Sequence, residues 1–180
     1  QKADFGGGVR REAAGFTIGD KIYLGLGNDE SYSFHKDFWE YEPASDTWKR
    51  IADFGGDARD ESVGFSINGK GYIALGKSGS FPYTYHKDLW EYDPESDTWT
   101  KKSDYGGIAR GYATSFTIAG KGYVVGGYRY DLGYYSDVWQ YDPATNQWTR
   151  MADFGGGGRS NPEGFSIGDK GGGFPPASPA

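Results

Sequence analysis

A chain of 180 residues with no cysteine, 31 glycines and an aromatic share of 18% excludes several classes at once. Disulfides and thiolate metal sites are out, and two histidines are too few for an all-histidine metal centre. The formal net charge of −6 argues against a nucleic-acid partner, whose phosphates select a basic surface, and no apolar run approaches the about 20 residues that span a bilayer.

The first element along the chain is a tetrapeptide, Ala-Asp-Phe-Gly at Ala3–Gly6. It returns at Ala52–Gly55 and Ala152–Gly155, and as Ser-Asp-Tyr-Gly at Ser103–Gly106. In a protein kinase Asp-Phe-Gly holds magnesium. A catalytic motif, however, stands once beside its partners, and four copies are a repeat. The aspartates Asp4, Asp53, Asp104 and Asp153 are spaced by 49, 51 and 49 residues. Six residues after each comes an arginine: Arg10, Arg59, Arg110 and Arg159. Phe16, Phe65, Phe116 and Phe165 keep the same rhythm, as do the ladders Trp39/Trp90/Trp139 and Trp48/Trp99/Trp148. Gly27 to Asp37 and Gly127 to Asp137 each span ten residues, against twelve from Gly76 to Asp88, which places a two-residue insertion in the second unit.

Each unit reads as four short strands. In the first unit these are Glu12–Ile18, then a Gly-Asp turn, Lys21–Gly27, Asp37–Glu42, a Pro-initiated turn, and Thr47–Ala52. Gly, Asn and Asp in the two-residue turns tolerate positive φ and suit hairpins, while Pro stops the third strand. Along that strand Asp37, Trp39 and Tyr41 alternate with Phe38 and Glu40, the period of a sheet. Long helices are not expected, because scarcely a stretch of ten residues lacks Gly or Pro. Four antiparallel strands repeating near every 50 residues match a β-propeller blade. The Asp-Phe-Gly segment then becomes the connection from the outer strand of one blade to the first strand of the next. Both tryptophan ladders fall on strands and are expected in the core.

The glycine closing the second strand, then Tyr41/Tyr92/Tyr141, then Trp48/Trp99/Trp148 resemble the kelch repeat. The fuller pattern is similar to the long kelch repeats of secreted bacterial proteins, which implies an extracellular or cell-envelope location. Only the third unit carries the kelch double glycine, Gly126-Gly127; the others have Leu26-Gly27 and Leu75-Gly76. The expected fold is therefore all-β, three complete kelch-type blades plus a partial fourth, an incomplete ring. The units run approximately 1–50, 51–101, 102–151 and 152–170, with a Gly/Pro-rich tail at 171–180. Gly171–Gly173 and Pro175-Pro176 are expected to stop the fourth unit after its first strand. With no initiating Met, the chain is expected to be a piece of a longer propeller of six or seven blades. The alternative is that chains complete one another as a homo-oligomer through open blade edges.

Strand order puts the second-to-third loops and the blade connections on one face, and the stereotyped short turns on the other. The loops carry Tyr32, Phe34, Phe81, Tyr83, Tyr85, Tyr128, Tyr130, Tyr134 and Tyr135, which either bind a ligand or pack on neighbouring blades. The arginine ladder lies on the same face. It reads as scaffold, Arg10, Arg59, Arg110 and Arg159 pairing with third-strand aspartates Asp37, Asp88 and Asp137, since a ligand rarely touches every blade alike. The alternative is a guanidinium ring gripping carboxylates or sulfates. His35 and His86 read as solvated loop residues.

No Ser-His-Asp order, phosphate loop or paired carboxylate set stands out. Absence of cysteine removes the cysteine-crosslinked tyrosine of galactose oxidase, a kelch-bearing enzyme. The expectation is a non-catalytic scaffold for a protein or glycan ligand, with no metal and no cofactor. The alternatives are a self-assembling structural protein and a fragment of a carbohydrate-active enzyme such as a sialic acid mutarotase.

Overall fold

The computed structural model describes residues 2–167 and 170–174. Its first four strands, β1 (Ala14–Ile18), β2 (Lys21–Gly25), β3 (Phe38–Glu42) and β4 (Thr47–Ile51), form one antiparallel sheet in chain order. The second unit repeats this with β5 (Val63–Ile67) and β6 (Lys70–Ala74), then β9 (Leu89–Asp93) and β10 (Thr98–Lys101). Between β6 and β9 its long loop folds into a two-stranded ribbon, β7 (Lys77–Ser78) with β8 (Thr84–Tyr85). The third unit has β11 (Thr114–Ile118) and β12 (Lys121–Val125), a ribbon of β13 (Tyr128–Arg129) and β14 (Gly133–Tyr134), then β15 (Val138–Asp142) and β16 (Gln147–Arg150). Register repeats as well: Phe16, Phe65 and Phe116 lie opposite Tyr23, Tyr72 and Tyr123.

The first strands of neighbouring sheets, β1, β5 and β11, lie against one another along an axis, and the fourth strands lie outside. Across that axis Ser115 Oγ donates to the Gly64 carbonyl and Thr117 Oγ1 to that of Ser66, both at 2.9 Å. Among the described residues the sheets do not close into a ring.

The hairpin turns follow from backbone chemistry. Asn68 and Gly69 both adopt positive φ, 51° and 77°, the geometry whose twist matches two paired strands. In the turns after the third strands Asp46, Asp97 and Asn146 also stand at positive φ. Each side chain accepts a backbone N–H from the connection, from Ala3, Ala52 and Ser103, at 2.9 Å. Each also accepts the hydroxyl of its own unit's tyrosine, Tyr41, Tyr92 or Tyr141.

The core lies between sheets rather than within one. Phe16, Tyr23, Phe38, Phe54 and Tyr92 fill the first interface, and Phe65, Tyr72, Leu75, Tyr105 and Tyr141 the second. The tryptophans, expected in the core, are half-buried at its margin. Their indole N–H groups account for the position. Trp39, Trp90 and Trp139 donate to Asp37, Asp88 and Asp137, while Trp48, Trp99 and Trp148 donate to connection carbonyls. A ring with a polar edge settles where that edge finds an acceptor.

The fourth unit differs from expectation. A further strand, β18 (Lys170–Phe174), pairs antiparallel with β17 (Glu163–Ile167), so Gly171–Gly173 join a hairpin. Glycine weakens an interior strand for want of side-chain packing, but β18 is hydrogen-bonded to β17 alone among the described residues, and the backbone ladder joins the two. Pro175 and Pro176 lie outside the described residues.

Candidate functional site: a carboxylate and aromatic cavity on the axis

Two layers of side chains occupy the loop face. The lower layer repeats. Arg10, Arg59 and Arg110 each grip an aspartate with two nitrogens: Nη2 lies 3.0 Å from the Oδ2 of Asp37, Asp88 and Asp137, and Nη1 lies 2.7, 2.5 and 2.5 Å from the Oδ1 atoms. Nη1 also donates to the carbonyl closing the second strand, Leu26, Leu75 or Gly126. Arg59 and Arg110 are 0% exposed. Burial alone would raise the carboxyls, but the arginine hydrogen bonds and charge, with the indole N–H, hold Asp37, Asp88 and Asp137 below the usual carboxylate range. Arg159 meets no carboxylate among the described residues; it lies over the Phe154 ring, and its Nη2 donates to the Gly156 carbonyl. The aspartate of Asp-Phe-Gly takes no part in this layer. Asp53 makes an exposed pair with Arg50 at 2.8 Å.

The upper layer, one and two residues beyond each arginine, does not repeat. Glu12, Glu61, Tyr112 and Asn161 occupy equivalent positions, all with positive φ between 46° and 56°. Backbone bridges join Arg11 to Asn28, Asp60 to Lys77 and Gly111 to Tyr128, one geometry carrying three different side-chain pairs. Here the backbone brings three carboxylates together. Oxygens of Glu12, Asp60 and Glu61 lie within 4.8 Å of one another, which corrects the reading that no carboxylate set exists. Lys77 Nζ contacts Glu61 and lies 3.5 Å from Asp60 Oδ1, over the faces of Tyr83 (5.0 Å) and Tyr112 (5.5 Å). Tyr112 donates its hydroxyl to Glu12 Oε1 at 2.8 Å, tying the third unit to the first. Asn28 Nδ2 donates to Asp60 Oδ2. Burial pushes Asp60 up to about 6, Glu12 adds to the rise, and Lys77 and Asn28 oppose it.

Glu12, Asn28, Asp60, Lys77 and Tyr112 border a cavity of about 400 Å³, with Tyr32, Phe34, Phe81 and Tyr83 from the loops forming its wall. Four of the nine loop aromatics therefore meet at one place. The others are spread elsewhere. Tyr85 accepts the Tyr130 backbone N–H at 3.1 Å, Tyr128 packs on Tyr134 at 4.9 Å, and Tyr135 lies 3.5 Å from the Arg110 guanidinium, against the scaffold layer. Tyr130 meets Phe81 edge-on at 5.3 Å and, like Tyr134, is largely exposed.

Sequence reasoning missed Glu12, Asp60, Glu61, Lys77 and Tyr112. The available signal was a break in the repeat directly after an invariantly placed arginine. It also misjudged His86, which is mostly buried. Its Nε2 lies 2.8 Å from Ser78 Oγ, and burial followed by Arg59's charge lowers its proton affinity. Asp57 Oδ2 stands 4.0 Å from Nδ1, too far for the hydrogen bond that orients a catalytic imidazole. Neither Ser78 nor His86 borders the axial cavity.

The model of the KLHDC2/KLHL20/DRC7 Kelch-repeats domain matches residues 8–167. This chain belongs to the kelch-repeat family. Among solved structures it is similar to the structure of YjhT, with a TM-score of 0.77 and 21% identity over 90% of this chain. That likeness shows the fold, and this kelch chain spans 57% of the other's length. No curated protein matches the sequence.

The kelch double glycine also explains the two leucines. Gly27, Gly76 and Gly127 have φ of 83°, 102° and 108°, and a Cβ on Gly76 would lie 2.4 Å from Ser62 Oγ. The N–H of each donates to the arginine carbonyl of the next unit, Arg59, Arg110 or Arg159. The preceding residue is also left-handed, at 59° for Leu26, 63° for Leu75 and 66° for Gly126. Both leucines are 0% exposed. Burying a Leu side chain contributes about 1.5–3 kcal/mol, which offsets a left-handed cost of about 1–2 kcal/mol.

Proposed function

We propose that this kelch chain is a non-catalytic binding module holding a protein or glycan ligand at the axial cavity. Kelch propellers serve generally as interaction scaffolds. One observation carries the reading: residues that repeat build the blades, and residues that break the repeat converge on one cavity. The aromatic wall supplies contact area at low entropic cost, with Tyr32 and Phe81 both mostly exposed. The carboxylates there are engaged, Asp60 and Glu61 by Lys77 and Glu12 by the Tyr112 hydroxyl, rather than set out as an acid and base pair, which favours holding over turnover.

The test is a glycan array and a pull-down with the chain and its Tyr32→Ala/Phe81→Ala variant. Both rings are on the surface, so the melting curve stays in place while the partner is lost. Binding that survives in the variant, and is lost instead on changing the exposed opposite-face turn residue Glu95, would place the ligand on the wrong side for this reading.

A further inference from the structure

The binding-module reading leaves the ligand's chemistry open, and the cavity's charges narrow it. Three carboxylates, Glu12, Asp60 and Glu61, face the cations of Lys77 and Arg11. Arg11 is already committed: its Nε donates to Asn28 Oδ1 at 2.8 Å and its guanidinium lies 4.4 Å over the Tyr32 ring. Lys77 is shared between Glu61, which it contacts, and Asp60. Asp60, 1% exposed, borders the cavity with an Oδ1 that accepts no hydrogen bond and has Lys77 Nζ no nearer than 3.5 Å. A buried carboxylate oxygen left in this state is costly unless a donor reaches it.

The wall also shows what it accommodates. Lys77 is an ammonium held between carboxylates and two tyrosine faces, and Arg11 is a guanidinium stacked on a third. Carboxylates ringed by aromatic faces recognise organic cations, through charge and through the ring quadrupole. The cavity is roomy enough for one more, and the whole chain's charge of −6 favours a basic partner's approach.

Resting on the binding-module reading, we propose that the axial cavity takes an arginine side chain presented by a protein partner, its guanidinium between Glu12 and Asp60 and its stem against Phe34 and Phe81. Arginine suits the place better than lysine because a planar fork can serve two carboxylates at once while stacking on a ring. Asp60 faces Glu12, Glu61, Lys77, Arg11, Asn28 and Tyr112, and its elevated proton affinity gives the site a pH dependence. A proton on Asp60 competes with the incoming cation.

The experiment titrates the whole chain at pH 7.5 with acetyl-Gly-Arg-Gly-amide and with its citrulline analogue, which keeps shape and loses charge. The arginine peptide binds about tenfold more tightly than the citrulline peptide. Glu12→Gln, at an exposed position that leaves the fold intact, removes most of that difference, and lowering the pH to 5 weakens the arginine peptide alone. A Lys77→Met variant, freeing the carboxylates of their internal cation, tightens it. Equal affinity for the two peptides, or indifference to Glu12→Gln, overturns the proposal. Spermidine binding as well as the arginine peptide would overturn the protein side-chain assignment in favour of a free polyamine. If an uncharged or acidic glycan instead binds through Tyr32 and Phe81 while the arginine peptide is inert, the binding module stands and this inference falls.

Discussion

Arg59 and Asp60 are neighbours in the chain, both buried, both charged, and they belong to different regimes. Arg59 has counterparts in every unit, and its bidentate partner Asp88 is held below the usual carboxylate range. Asp60 has Arg11 and Gly111 at the equivalent positions and is pushed up to about 6. The difference teaches how a repeat protein separates the positions its frame dictates from those it leaves free to vary. In the three complete units the arginine–aspartate geometry is built the same way each time, two guanidinium nitrogens on two carboxylate oxygens. Asp60 stands instead on a backbone that repeats with side chains that do not, and its buried carboxylate lacks the two-pronged partner that every third-strand aspartate has.

The comparison breaks first, if it breaks, at Arg59. Replacing it by Ala removes hydrogen bonds to Asp88, the Leu75 carbonyl and the Asp57 carbonyl, and leaves the half-buried Asp88 carboxylate without its cation, the Trp90 indole N–H its remaining side-chain donor. Losing one partner of a buried pair costs about 3–5 kcal/mol, so a thermal melt followed by circular dichroism shifts down by many degrees. An unmoved melting curve accompanied by lost ligand binding would revive the reading of the arginines as an anion-gripping ring.

A smaller effect of opposite sign is expected at Asp60. Its folded-state proton affinity lies above the unfolded value of 3.8. The folded state therefore holds more protons between about pH 4 and pH 6, and stability falls as pH rises through that window. Asp60→Asn removes the buried charge and raises stability on the order of 1 kcal/mol at pH 7.5, the lost attraction to Lys77 offsetting part of the gain. At pH 4 the advantage vanishes. Asp88 slopes the other way: its contribution is present above the unfolded pKa and is lost as pH falls through its lowered folded one. Denaturant titrations of the Asp60→Asn chain at the two pH values check the sign, and equal stability difference at both would show that Asp60 does not titrate there.

How much of this was legible beforehand follows from what each feature depends on. The three four-stranded units, their strand order and the turns were readable because they rest on local chemistry stated several times over: Asn68-Gly69, the turn aspartates, the tyrosine and tryptophan spacings. The Arg10, Arg59 and Arg110 contacts with aspartate lay within the same periodic signal. The axial carboxylates were not readable, because Glu12 and Tyr112 meet across 100 residues and only the arrangement of sheets about an axis brings them together. The loop tyrosines were found as a class but not sorted. Composition places aromatic residues on a face, while the two-residue insertion and the ribbon of β7 and β8 decide that Phe81 and Tyr83 reach the cavity and Tyr85 does not. Half-burial of the tryptophans was hidden for a related reason: their indole acceptors lie in the connection and at the head of the third strand, and those partners appear only on folding.

The smallest effect expected is at Tyr130, and it sharpens the contrast most cleanly. Tyr105 and Tyr130 are the same residue type in the same unit. Tyr105 stands in the repeated connection, 1% exposed, with its ring against Trp139 and Trp148. Tyr130 is 61% exposed and meets Phe81 by one edge. The hydrogen bond between Tyr85 and residue 130 uses the backbone N–H, so truncating the side chain keeps it. Surface substitutions of this kind change stability by no more than about 0.5 kcal/mol. Tyr130→Ala therefore melts with the parent chain, within a degree or two. Any weakening of ligand binding in that variant then reports on Phe81, whose ring loses its neighbour at the cavity wall, and not on the fold. A melting point lowered as far as that of Arg59→Ala would mean that the loop rings are themselves part of the scaffold, and that the line drawn between repeated frame and unrepeated face is in the wrong place.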